Sequence, residues 1–231
     1  MIRCKHMQRL FDIFFSFTVL IFLMPLLIIV SLILKATGEH EILYLQERIG
    51  KNGQPFNVLK FATMLKDSPK MGSGTITLKD DPRVLPAGKL LRKTKINELP
   101  QLFNVLKGDM SLVGPRPLTE ETFSGYSSDE QKIITSVSPG LSGVGSIVFR
   151  DEESILQHLG GNRTAYFEVI APYKAQLEIW FVQNLSIKIY FAIIFLTLAA
   201  LVNANSKLVW VVLKGLPPLP EHLAAVINEE L

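Results

Sequence analysis

One cysteine and four scattered histidines in 231 residues leave this chain few inorganic options. Cys4 alone cannot close an internal disulfide, so a reducing compartment is the expectation. The His and Cys positions do not have the spacing of a zinc site. There is no internal repeat and no low-complexity tract, and a hydrophobic content of 48% excludes a disordered chain. Charge of either sign is scarce overall, at +3 net, but it is unevenly placed. Residues 44–117 hold 13 basic and 6 acidic groups, whereas residues 118–186 hold 4 and 9. A basic block behind an apolar segment suits anionic headgroups, phosphates or a nucleotide.

Residues 10–34, "LFDIFFSFTVLIFLMPLLIIVSLIL", carry a single charge, Asp12, in 25 positions. That run is long enough to cross a bilayer and too long for a secretory signal, and no small-residue cleavage site follows it. Arg3, Lys5 and Arg9 precede it, which places the N-terminus in the cytoplasm. Pro25 removes one backbone hydrogen bond near the middle and is the expected break of a re-entrant helix; a plain single-pass anchor is the alternative. A second apolar run, Ile189 to Val202, is too short to span alone, and Asn203, Asn205 and Lys207 interrupt it. It reads as an interfacial or buried helix with Trp210 as a headgroup-level anchor. The division expected is a membrane helix over 1–37, a catalytic domain over 38–186 and a membrane-associated apolar helix and tail over 187–231.

Residues 42–61 read as a β-hairpin turned at Asn52-Gly53, because a type I′ turn needs positive φ at both central residues. Lys60 ends the second strand among apolar neighbours, either as a snorkelling edge residue or as a phosphate-contacting ammonium. Residues 65–82 read as a loop with a short strand at Thr75–Leu78. Leu99, Leu102, Phe103 and Leu106 then share a helical face, with Gly108 as the stop. Asn97 fits as the N-cap of that helix and Glu98 as a first-turn acid. The same N-terminus is also a natural phosphate or metal–phosphate site, with Arg92 and Lys93 just upstream. In "GPRP" two prolines hold Arg116 rigid, and a guanidinium so held binds phosphate bidentately. The Gly-rich stretch 138–154 lacks the ending of a Walker loop, so Arg150 is a phosphate ligand or the basic residue of a charged helix start. The fold class is mixed α/β, mostly helical with a small antiparallel sheet.

The stretches "YLQERIGKNGQPF", "LKFATM", "KDDPRV", "GKLLRKTKINELPQLFNVLKGDMSLVGPRP" and "VSPGLSGVGS" together resemble the bacterial sugar transferases. These are the monotopic polyprenyl-phosphate phosphoglycosyl transferases that begin glycan assembly. The resemblance runs from the apolar helix to about residue 190, and the stretch 92–117 is its most specific part. It implies a re-entrant helix broken at Pro25 and a catalytic domain on the cytoplasmic face of the bacterial inner membrane. The implied reaction moves a phosphosugar from a UDP-sugar to undecaprenyl phosphate, releases UMP and requires Mg2+. The implied product feeds capsule, O-antigen or glycoprotein assembly through downstream glycosyltransferases, with membrane lipid and no nucleic acid as partner. A homodimer through the C-terminal apolar run is left open.

In that family an Asp attacks the sugar phosphate and an adjacent Glu assists with Mg2+. Glu98 matches the Glu, and Asn97 stands where the Asp belongs. An amide has no anionic oxygen, so an acyl-phosphate cannot form at position 97. Three readings follow: an engineered replacement, a natural subgroup reacting by direct attack of the lipid phosphate or through Glu98 or Asp109, or an inactive chain. Ala62 and Thr63 stand where the family has Arg-Ser, Met24 replaces a Ser before proline, and "GSIVFRDEES" replaces a Trp-Gln-Val-type run. Several departures together favour a natural subgroup. The resemblance then gives Glu98 the metal, Lys60, Arg92 and Arg116 the phosphate oxygens, and Arg48 and Arg150 the same duty more weakly. Asn97 orients a phosphate or a metal-bound water, and Glu178 is either functional or structural. The competing function is a catalytically silent homologue that binds lipid-linked sugar or recruits glycosyltransferases.

Overall fold

In the computed structural model, which describes residues 2–71, 77, 81–202 and 207–229, the N-terminal apolar run is a single helix, α1, Ile2–Ala36, with Pro25 inside it. Its buried positions are Gln8, Asp12, Ser16, Leu20, Leu27, Val30 and Leu34, spaced so that they share one face. Leu10, Phe14, Phe17, Phe22, Ile28 and Leu32 are exposed. The polar residues on the buried face are anchors. Gln8 donates to Ser111 Oγ and to the Val113 carbonyl, at 2.8 and 2.9 Å. Asp12 Oδ1 accepts from the Leu112 amide at 2.9 Å and from the Tyr190 hydroxyl at 2.8 Å. The one charge of the apolar run therefore fastens α1 to the domain.

Strands β1 (Leu43–Ile49) and β2 (Pro55–Phe61) form the antiparallel hairpin, joined by a turn with Asn52 at φ 56° and Gly53 at φ 74°. Helix α2, Pro86–Lys93, begins on its proline, whose missing N–H costs nothing in the first turn. A Cβ on Gly88 would sit 2.2 Å from the Thr63 carbonyl oxygen, so only glycine lets α2 close on the chain leaving β2. A 3-10 turn, Ile96–Glu98, precedes α3, Gln101–Lys107, which stops at Gly108 in the left-handed conformation. Arg9 of α1 donates to the Val105 and Leu106 carbonyls at that end, satisfying two of the groups a helix C-terminus leaves open.

The apolar face expected from Leu99 to Leu106 holds at Leu99, Leu102 and Leu106, which share one core, and departs at Phe103. Leu102 is buried, but Phe103 is 44% exposed, and Gln101, Asn104 and Val105 are buried with Leu102. The cause is Asn104, which accepts from the Leu59 amide and donates to the Asn57 carbonyl, at 2.9 and 2.8 Å. These are the free edge groups of β2, so α3 covers an open strand edge as well as an apolar core.

Strand β3 (Ser111–Val113) pairs in parallel with β4 (Gly140–Ser142), a second two-stranded pair beside the expected antiparallel hairpin. Between them lie α4, Glu120–Phe123, and α5, Ser128–Thr135. Helices α6 (Val144–Val148), α7 (Glu152–His158) and α8 (Arg163–Ala165) follow. A wide turn, Tyr166–Ile170, leads into α9, Ala171–Gln183. Helices α10 (Ile187–Val202), α11 (Lys207–Val212) and α12 (Glu221–Glu229) complete the chain. Tyr190, Ile193, Val209, Leu213, Leu223 and Ile227 join Leu177 and Phe181 in one core, so the C-terminal helices pack as part of the domain. Helix α10 is buried on one side, with Phe195 and Leu198 exposed on the other, and Trp210 packs partly against the core. The strand expected at Thr75–Leu78 and the break at Asn203 and Asn205 lie outside the described residues.

Candidate active site

The hairpin presents Tyr44, Gln46 and Arg48 on one face, since alternate residues of a strand point the same way. Lys60 lies directly across from Tyr44, on that same face. The 3-10 turn delivers Asn97 and Glu98 to it, entered through Lys95, whose φ of 59° is left-handed. The Pro115–Pro117 turn delivers Arg116. Glu98 accepts from Arg116 through two bonds, Nη2 to Oε1 at 2.7 Å and Nη1 to Oε2 at 3.4 Å. Arg48 donates to the Pro117 carbonyl at 3.2 Å and to Gln46 Oε1 at 2.6 Å, and Lys60 Nζ reaches the same Gln46 oxygen at 3.3 Å.

Burial by itself would raise the Glu98 carboxyl, but Arg116 and Lys60 outweigh it and hold the group well below the usual carboxylate range. Burial, then repulsion from Arg48, pushes the Lys60 ammonium well below its ordinary value. Arg48 falls to about 10 for the corresponding reasons, burial and then Arg116, while Glu98 raises Arg116. Burial also lowers Lys95, although Glu98 favours its charged form. Arg92, in the last turn of α2, pairs with Glu153 at 2.6 Å. Arg48, Lys60, Arg92, Lys95 and Arg116 thus outnumber the carboxylates that face them, Glu98 at the centre, Glu153 on Arg92, and Glu152 and Glu178 acting on Arg116, a positive surplus. Such a surplus behind a low-dielectric wall is a receptor for a polyanion.

Asn97 does not cap α3. The residue before that helix is Pro100, and no side chain caps it. Asn97 is 6% exposed, and its Oδ1 is buried with no hydrogen-bond partner. An oxygen so left costs about 1–3 kcal/mol until a water or a ligand satisfies it. Glu98 precedes α3 and is held by Arg116, whereas a first-turn acid would face the helix amides. Asp109 stands at the other end of α3, beside Lys107 at 3.0 Å, away from the cation cluster.

Beneath the cluster, Glu178 of α9 accepts from the Arg116 amide at 3.5 Å while its Oε2 is buried without a partner. Burial pushes its carboxyl up to about 7, against the pull of the Arg116 amide and of Lys174. A Cβ on Gly145 would come within 2.5 Å of Glu178 Oε1, so this glycine lets the first turn of α6 pack against the acid. Lys174, 3% exposed, pairs with Glu152 at 2.5 Å and lies 5.8 Å from the Phe149 and Tyr166 rings. Asp151 caps α7 by accepting from the Ser154 amide, which leaves Glu152 and Glu153 in a first turn that favours acids.

The structure brings Glu98, Lys60, Arg48 and Arg116 together, with Arg92 acting on Lys60, while Asn97 shares the 3-10 turn with Glu98. Arg150 is not among them: its Nη1 is buried without a partner, and no ion pair joins it to the cluster among the described residues. Gln46, Lys95 and Glu153 were not singled out in the sequence. Gln46 had a signal, being two residues from Arg48 and on the Lys60 side of the hairpin. Glu153 had none, because its partner is 61 residues away.

Residues 3–204 match the family model for bacterial sugar transferases. The exopolysaccharide production protein ExoY of Sinorhizobium fredii is 37% identical over 161 residues, covering 64% of this chain and 71% of that protein. The undecaprenyl-phosphate glucose phosphotransferase of Komagataeibacter xylinus is 39% identical over 157 residues, 63% of this chain and 30% of that protein. The UDP-galactose-lipid carrier transferase of Erwinia amylovora is 30% identical over 215 residues, 87% of this chain and 41% of that protein. The chain thus spans less than half the length of the latter two relatives. With its cation-ringed glutamate on a domain fastened to an apolar helix, the chain belongs to the bacterial sugar transferase family.

Proposed function

We propose that this protein transfers a sugar phosphate from a UDP-sugar to undecaprenyl phosphate, with release of UMP, as the first membrane step of a glycan pathway. The observation that carries this reading is the convergence of four cations on one buried carboxylate, Glu98. Phosphoryl transfer is mainly positioning and charge stabilisation, and both substrates are phosphate anions. Names of relatives support the two substrates: one acts on undecaprenyl phosphate, another is a UDP-galactose-lipid carrier transferase.

In this reading Lys60, Arg48 and Arg116 hold the diphosphate oxygens, and Arg92 exchanges Glu153 for a phosphate. The phosphorus bearing the sugar forms a bond to an acceptor-phosphate oxygen while its bond to the UMP oxygen breaks, and UMP leaves with the electron pair. Asn97 offers a carbonyl oxygen and no anionic one, so it orients and does not attack.

Mg2+ fits the residues present. No group of three or more His, Cys, Asp or Glu comes together among the described residues, but Mg2+ is held by one or two carboxylates with substrate phosphates and water. The Glu98 carboxylate and the unpartnered Asn97 Oδ1 are two hard oxygens that suit it. When bound, the ion neutralises charge developing on the leaving phosphate.

The location proposed is the cytoplasmic face of the inner membrane, with α1 re-entrant. Helix α1 packs against the domain at several points along its length. Arg9 binds the end of α3, while Leu34 shares a core with Leu91 of α2 and Leu102 of α3. A helix entering and leaving by one face accounts for that.

The test is UMP release by purified protein given undecaprenyl phosphate, Mg2+ and a panel of UDP-sugars. Acceptor-dependent UMP with at least one donor supports the reading. No UMP from any donor points to a silent homologue that binds lipid-linked sugar or recruits glycosyltransferases.

A further inference from the structure

Lys60 and Arg48 are like charges that share one neutral acceptor, Gln46 Oε1, at 3.3 and 2.6 Å. The hairpin register explains how. Gln46 pairs with Val58, so its side chain lies between Arg48, two residues along its own strand, and Lys60, two residues along the partner strand. Arg48 is also tied to the Pro117 carbonyl, so the amide connects the hairpin to the turn that carries Arg116. Remove the amide oxygen and two mutually repelling cations lose the group that holds them side by side.

We propose that Gln46 is a positioning residue whose side-chain carbonyl holds the Lys60 ammonium and the Arg48 guanidinium as a single clamp for the diphosphate of a nucleoside diphosphate. This rests on the reaction proposed above for its substrate class, and it deepens that reading by naming the residue that sets the clamp's spacing. The charged and titratable groups around Lys60 are Arg48 and Tyr44 of β1, Arg92 of α2, Glu98 of the 3-10 turn, and Arg116. Gln46 itself is neutral, so it adds a hydrogen bond without offsetting the positive field that attracts phosphate.

The experiment is calorimetric titration of the full-length protein in detergent with UDP, from pH 6 to 10, beside melting temperatures. Gln46→Ala is expected to weaken UDP binding at pH 7 about tenfold, the size of a lost charge-assisted hydrogen bond. It also moves the pH at which affinity is lost downward, because the charged form of Lys60 loses its acceptor. Gln46→Glu keeps an oxygen in place and moves that pH upward, because a carboxylate favours the ammonium. UDP binding by Gln46→Ala equal to that of the unaltered protein overturns the proposal. So does a fall in melting temperature in both variants with the alkaline limb unmoved, since that is what a merely structural amide would give. Unaltered protein that binds UDP yet releases no UMP sinks the reaction while leaving the clamp standing; failure to bind UDP at all sinks the clamp.

Discussion

Arg116 lays its guanidinium along the Glu98 carboxylate, with Nη2 2.7 Å from Oε1 and Nη1 3.4 Å from Oε2. The two are 18 residues apart and arrive from turns made stiff by different means, a left-handed Lys95 before one and flanking prolines around the other. The fork fixes which way the carboxylate faces and leaves Lys60 and Arg48 bonded only to neutral oxygens among the described residues.

Lysine cannot reproduce that fork. Arg116→Lys keeps the charge but loses the paired hydrogen bonds, and UMP release is expected to fall roughly 10- to 100-fold. A variant within twofold of the unaltered protein would show that charge alone suffices.

Glu178 gives a stability prediction with a definite sign. Burial pushes its carboxyl up to about 7 in the folded protein, above the ordinary glutamate value of 4.5. Between those values the folded state holds a proton that the unfolded state has lost, so stability falls as pH rises from 4.5 to 7. Glu178→Gln is isosteric and cannot ionise. It is expected to be the more stable form at pH 8, by up to about 3 kcal/mol, with the advantage gone near pH 4.5. Equal melting temperatures at pH 8 would contradict this.

Asn104→Ala strips the Leu59 amide and the Asn57 carbonyl of their partner. Two part-buried backbone groups left open cost about 1–2 kcal/mol together. Denaturant unfolding in detergent should show that loss, along with weaker UDP binding, because Lys60 follows Leu59 on the loosened strand. Unchanged stability would mean that the β2 edge finds water instead.

How much of this could be read from the chain depended on the range of the interaction. The hairpin turn at Asn52-Gly53, the stop at Gly108 and the meeting of Glu98 with Lys60 and Arg116 follow from local rules or from the family resemblance. Counting apolar residues places Leu99, Leu102 and Leu106 on the core side but misplaces Phe103, since Asn104 is buried by a strand edge that periodicity does not register. Asn97 was read as a cap because Asn caps helices well, but Pro100 opens α3 three residues later. Asp12 is the one charge of the apolar run, and no local rule gives its role, because its partners Leu112 and Tyr190 lie 100 and 178 residues away. Arg92 is taken by Glu153 from a stretch that departs from the family pattern, and only the fold brings the two together.

Asn97→Asp restores an anionic oxygen beside Glu98 and reduces the positive surplus by one. Intact-protein mass spectrometry with a UDP-sugar and no acceptor is expected to show a phosphosugar adduct on this variant and none on the unaltered chain. An adduct on the unaltered chain would contradict transfer directly between the two substrates.

The most direct test replaces the residue on which the cations converge. Glu98→Gln keeps the shape, removes the charge that Arg116 grips and removes the anionic oxygen offered to Mg2+. Side-by-side UMP release, with undecaprenyl phosphate and the best UDP-sugar donor, is predicted to fall at least about 100-fold, while UDP still binds. Turnover of Glu98→Gln within a few-fold of the unaltered protein would contradict the account.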